Sequence, residues 1–229
     1  MNSGHIANAF TLCASFLDTP LRMKANRIMR LIFSAITFFC LTSCQVSINK
    51  DNVAEGTKLM SQGDYFNADL EFDDALFANN DNLDALRGSY YCALSLGYND
   101  KALKRANKFI ELRPDSSVGY NDRGTIYLVT KDYEKALSDF NSVIEKGTDY
   151  PAVAYFNKAE ALRELNRFEE AIKSYNIVIS IDNKDSRAYF KKGIAFSRIG
   201  NKDSACISFK IAKDLGDTEA EKEIRTLCN

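Results

Sequence analysis

Five alanines, Ala68, Ala102, Ala136, Ala171 and Ala205, recur along the chain at intervals of 34, 34, 35 and 34 residues. A small residue at one phase of a 34-residue period is the mark of a two-helix unit that stacks on copies of itself. Such a unit cannot bury its apolar face alone, so the recurrence demands a linear array. Only three prolines interrupt 229 residues, which suits a nearly all-helical chain.

From about Asn49 the chain divides into five units, 49–82, 83–116, 117–150, 152–185 and 186–219, with one extra residue at Pro151. Apolar or small residues fall at three- and four-residue steps, as in Tyr120, Gly124, Tyr127 and then Ala136, Phe140, Val143. That spacing predicts two amphipathic helices joined by a tight turn. Gly63, Gly97 and Gly200 sit between paired helices, Pro151 is placed to open one, and Asn166-x-x-Glu169 is patterned as a capping box. The stretch 218–228 has Ala220, Ile224 and Leu227 on one side and charges on the other, as a solvating end helix would.

The units resemble the tetratricopeptide repeat. Its first helix asks for a large residue, then glycine or alanine, then an aromatic or leucine, as in Tyr120-Gly124-Tyr127, Tyr155-Ala159-Leu162 and Tyr189-Gly193-Phe196. Its second helix asks for alanine, an aromatic and a small or branched residue, as in Ala68-Phe72-Ala75, Ala136-Phe140-Val143, Ala171-Tyr175-Val178 and Ala205-Phe209-Ala212. Unit two departs: Tyr90 stands where the glycine belongs and Ala106 where the aromatic belongs, a size-swapped contact. Unit one has Asn52 where a large apolar residue is expected. The resemblance implies an all-α solenoid of five repeats closed by a capping helix.

Ahead of the array, Lys24, Arg27 and Arg30 precede an apolar run from Leu31 to Leu41. This is the order of a secretory signal; at eleven residues the run is short of the roughly twenty needed to span a bilayer. Leu41-Thr42-Ser43-Cys44 resembles the lipobox of bacterial lipoproteins, which makes 23–43 the signal peptide and Cys44 the lipidated N-terminus. The alternative is an ordinary cysteine beside a common cleavage site. Residues 1–22 fit no part of the signal and read as an upstream start assigned too early, with Met23 as initiator. The tether 44–48 is short: the five residues from Gln45 to Asn49 extend to at most ~18 Å, so the array is expected close to the membrane. Gln45 after the cysteine resembles the enterobacterial code for passage to the outer membrane.

Several chemistries are excluded or disfavoured. His5 is the only histidine and is lost on processing, which closes Ser-His-Asp and Cys-His schemes and removes the commonest zinc ligand. No metal or cofactor is expected, and no catalytic residue is assigned. Four bases and one acid fall within the first 43 residues, leaving 26 bases against 30 acids beyond them, without a basic stripe for nucleic acid. Cys92, Cys206 and Cys228 remain after processing. Cys206 and Cys228 are a candidate disulfide in an oxidising envelope; the competing reading is three buried small hydrophobes.

In tetratricopeptide proteins ligands lie on the concave face made by first helices. The resemblance therefore points to Arg87, Tyr91, Asn121, Thr125, Leu128, Phe156, Glu160, Arg163, Arg187, Phe190, Ile194 and Arg198 as a groove in which exposed aromatics stand beside cations. Phe156 and Phe190 occupy equivalent places, suited to a peptide or to packing on a neighbouring helix. Asn157, Arg187 and Lys191 resemble three members of the family's five-residue carboxylate clamp, which Asn121 and Thr125 leave incomplete. The expected role is an envelope adaptor that binds other proteins or peptides and is held to the membrane by its N-terminal lipid. The alternatives are a self-assembling structural protein or, less readily, an enzyme using Glu160 and Glu164.

Overall fold

The computed structural model describes residues 51–228, and these hold eleven helices and no strand. Helix α1 runs through 51–61. It is followed by α2 (Tyr65–Ala78), α3 (Leu83–Ser95), α4 (Asn99–Leu112), α5 (Ser117–Val129) and α6 (Tyr133–Lys146). The second half comprises α7 (Pro151–Glu164), α8 (Phe168–Ile181), α9 (Ser186–Arg198), α10 (Lys202–Asp214) and α11 (Ala220–Leu227). From α2 onward each helix packs on the next in sequence, and the first helices α5 and α7 also touch. The fold is the all-α solenoid of five tetratricopeptide units, with α11 as the end helix. The apolar run before Cys44, the tether and Cys44 itself lie outside the described residues.

The same turn joins the helices of every unit. Gly63, Gly97, Lys131, Asn166 and Gly200 all adopt left-handed φ, between 59° and 81°. After each, an amide reaches back five residues, as in Tyr98 N to Ala93 O at 2.8 Å and Asn201 N to Phe196 O at 2.9 Å. This double closure satisfies the last carbonyls of one helix and starts the next within three residues. Asn166 is therefore not the start of a capping box: it ends α7, and the N-cap of α8 is Arg167, whose guanidinium pairs with Glu170 at 2.7 Å. Asparagine suits that place by its tolerance of left-handed backbone, which Lys131 adopts at the equivalent turn of unit three, rather than by its side-chain oxygen. Pro151 does open α7, where a missing amide costs nothing.

The recurring alanines are all fully buried, and Phe72, Phe140, Tyr175 and Phe209 beside them are 0–1% exposed. Close approach explains the glycines opposite these rings. A Cβ on Gly193 would stand 2.6 Å from a ring carbon of Phe209, well inside contact distance. Unit two builds the same contact in reverse, Tyr90 projecting from α3 into a cluster with Ala102, Ala106 and Ile126. Units one and two are also linked by charge. Lys101 Nζ lies 2.7 Å from Asp69 and 2.5 Å from Asp73, Arg105 lies 2.7 Å from Asp73, and Ser89 donates to Asp69 at 2.9 Å. In unit three Arg123 grips Asp139 with two bonds of 2.7 and 2.8 Å. At the far end Ile224, Leu227 and Cys228 pack on the cluster of Phe190, Phe209 and Ala212. Cys206 and Cys228 are disulfide-bonded, tying α10 to the end of α11.

Candidate functional site

The first helices α3, α5, α7 and α9 recur once per unit, so residues 34 or 35 positions apart, such as Arg87, Asn121, Phe156 and Phe190, hold equivalent places in successive units. At the α3 end, Arg87 and Tyr91 stand one turn apart. The guanidinium lies 5.8 Å from the Tyr91 ring centre, and its Nη2 is 3.5 Å from the phenol oxygen. Tyr91 is 40% exposed. Arg87 Nε also reaches α5, stopping 3.7 Å from Asp122 Oδ2, and that buried Nε has no hydrogen-bond partner among the described residues. Asp122 is itself buried, which raises its pKa to about 6 against the opposing pull of Arg87.

In the middle of the row, Asn157 Nδ2 donates to Asn121 Oδ1 at 3.5 Å, so α5 and α7 present adjoining amides. Thr125 turns its hydroxyl back to the Asn121 carbonyl at 2.9 Å. Leu128 is half-buried against the cluster around Ala159 and Tyr175. On α7, Glu160 accepts from the Tyr175 hydroxyl and from Arg163 Nη2 at 3.1 Å, and Lys191 Nζ adds its charge from 3.8 Å. Burial, and then the Glu160 charge, push the Tyr175 phenol well above its ordinary pKa. Arg163 also binds Glu164, so both acids proposed as a catalytic pair share one arginine.

The exposed aromatics expected of this face need correction. Phe190 is 8% exposed and packs on Phe209 with ring centres 5.8 Å apart; it belongs to the core of unit five, not to the groove. Gly193, one turn further on, leaves the room into which the Phe209 ring fits. Phe156 is half-buried, edge-on to Tyr175 at 5.8 Å, and Arg187 covers it at 5.2 Å. The suggested carboxylate receiver is also partly answered from within. Arg187 pairs with Asp185 at 3.0 Å and Lys191 faces Glu160, because both acids sit within reach on the same or the preceding first helix. Ile194 is half-buried with the unit-five cluster, and Arg198 is exposed in the last turn of α9.

Asp122 was missed by sequence reasoning, although the signal was available. It occupies in unit three the place held by Asn157 and Lys191 in units four and five. A cleft of about 660 Å³ lies elsewhere, along α4 beside Leu103, Lys104 and Asn107. Among the described residues no group of three metal-ligating side chains occurs, and no helix is long and apolar enough to cross a membrane.

A repeated two-helix unit, a core of small residues under rings and an open row of polar first-helix side chains define a helical repeat scaffold. The model of the TPR repeat matches residues 159–200. With the fold and the five-fold recurrence, this chain is a tetratricopeptide repeat protein. It is similar to heat shock protein STI1 of Saccharomyces cerevisiae, 30% identical over 105 residues that make up 45% of this chain and 18% of that protein. The matches span only 18% to 21% of the length of the first curated relatives. Among solved structures, MamA has a TM-score of 0.66 at 24% identity, covering 76% of this chain and 94% of that one. YrrB, described as a TPR protein with an unusual peptide-binding site, has a TM-score of 0.65 at 17% identity, covering 77% and 91%.

Proposed function

We propose that this chain is an adaptor of the bacterial cell envelope, carried on the outer membrane by lipid on Cys44, which binds segments of other envelope proteins along its first-helix face. The observation that carries the binding role is the adjoining amide pair Asn121–Asn157, flanked on α3 by the half-buried Arg87 and the exposed Tyr91. Side-chain amides donate and accept at once, as the backbone of an extended segment does, and Tyr91 with Arg87 offers an anchor of the type that dominates protein interfaces. YrrB, with the same fold, is described as having a peptide-binding site, which supports the assignment. Glu160 and Glu164 share Arg163, and Asp122 faces Arg87, which favours binding over catalysis at these acids. Anchoring raises the effective concentration of both partners, so modest affinity per contact suffices.

A photo-reactive phenylalanine analogue at Thr125 in living cells is expected to capture a discrete envelope protein, and to lose it when Asn121 and Asn157 are both replaced by alanine. Capture that ignores this double change would overturn the binding face. The anchor is tested separately: labelled palmitate should enter the chain and be lost in Cys44→Ser.

A further inference from the structure

We infer that the exposed face of α2 is a second docking surface, a ridge that takes an amphipathic helix bearing lysine or arginine along one flank. It is independent of the first-helix face and goes beyond the role proposed for it. Phe66, Leu70 and Phe77 lie at helical spacing on one side of α2 and are 54%, 51% and 94% exposed. The array supplies its own control, since the equivalent places are Asp100, Lys104 and Glu111 in unit two and Glu134, Ser138 and Glu145 in unit three. Units four and five keep that polar pattern except for Ile207. A solvated surface is therefore what this position holds elsewhere in the same chain, and unit one departs from it at all three places.

Charge selects the occupant. Helix α2 contains no lysine or arginine. On one flank of the ridge, Asp73 is already neutralised by Lys101 and Arg105 of α4. On the other flank Asp74 and Glu71 have no ion-pair partner within α2, and Glu55 of α1 lies near enough to add its charge, although Lys58 holds it at 2.9 Å. Burial first, and then the charges of Asp74 and Glu55, raise the Glu71 pKa, the mark of acids crowded without enough cations. An apolar ridge with one acidic margin is complementary to a helix whose apolar stripe has a basic margin. An anionic lipid surface fits poorly, because interfacial helices carry their bases where α2 carries acids.

The chain contains no tryptophan, so the fluorescence of a tryptophan-labelled probe reports on the probe alone. The probe is a synthetic helix of about five turns, with a leucine stripe, lysines on one flank and serines on the other, titrated against the full chain. A glutamate-for-lysine version is expected to bind at least about tenfold more weakly. Leu70→Ser/Phe77→Ser should weaken the lysine probe by about tenfold or more with an unchanged circular dichroism spectrum. Phe77→Ser alone, a change at the protein surface, should weaken it in the same direction. Glu71→Gln/Asp74→Asn should reduce the preference for the lysine probe over the glutamate probe. Equal binding of the two probes, or binding that survives Leu70→Ser/Phe77→Ser, would overturn the inference. So would ridge-dependent pairing of two copies in sedimentation, or ridge-dependent binding to phosphatidylcholine vesicles.

Discussion

Units two and five solve one packing problem from opposite sides. In unit five the ring of Phe209 comes from the second helix and lies over Gly193 of the first. In unit two the ring of Tyr90 comes from the first helix and meets Ala106 of the second. What is kept is the summed volume across the helix pair, not the residue at either place, as close-packed interiors require. The two units also differ in how they join their neighbours. Unit two is laced to unit one by Asp69, Asp73, Lys101 and Arg105, whereas unit five is joined to α11 by the Cys206–Cys228 disulfide.

The sharpest way to break this comparison is to exchange the two arrangements. Phe209→Ala in unit five should cost about 3–5 kcal/mol, the usual loss for a buried ring. Tyr90→Gly should cost a similar amount, while Tyr90→Gly with Ala106→Phe should recover more than half of it in urea denaturation. Independent, additive losses in the double variant would mean that the ring positions are not interchangeable. Smaller is the effect of the staple. Cys206→Ala/Cys228→Ala closes no loop across the 22-residue separation and should lower stability by about 2–3 kcal/mol under oxidising conditions. Under reducing conditions that difference from the parent should vanish.

The smallest effect tests where unit two meets unit three, at Arg87 and Asp122. An unfolded aspartate ionises near 3.9 and the native Asp122 at about 6, so between these values the folded state binds more protons. Stability conferred at this site is therefore present below that window and lost as pH rises through it. Asp122→Asn should flatten the fall in thermal midpoint between pH 4 and 6.5, raising stability at neutral pH by about 1 kcal/mol relative to the parent. A variant with an unaltered pH profile would show that Arg87 already compensates the charge in full.

Much of the fold was legible because its signals are steric. Alanine at a 34-residue interval marks where helices must approach, and the ring and glycine partners follow from the same demand. The size swap at Tyr90 and Ala106 could be read for the same reason, since volume is a property of the residue itself. Exposure on the first-helix face was less legible. Phe156 and Phe190 occupy the same place in adjacent units, yet only Phe190 is sealed in the core. Both pack on the equivalent second-helix ring at 5.8 Å, Tyr175 for Phe156 and Phe209 for Phe190, so the difference lies in what covers the rest of the ring, which for Phe156 is the Arg187 side chain. Charge partners were the least legible. Lys191 and Glu160 are 31 positions apart in sequence and one helix apart in space, so their meeting depends on the stacking geometry. Asn166 shows a further limit: its spacing to Glu169 fitted a helix start, but the backbone needed a residue that tolerates positive φ.

The covalent link at the C-terminal end has a directional consequence. In a one-dimensional stack, unravelling begins where a terminal element can peel away with few neighbours to lose. Here α11 cannot leave α10 without breaking a sulfur–sulfur bond, so one route of fraying is closed. The stack is thereby given a polarity: amide exchange should invade it from the side of unit one, and a thiol reductant should restore entry from both sides.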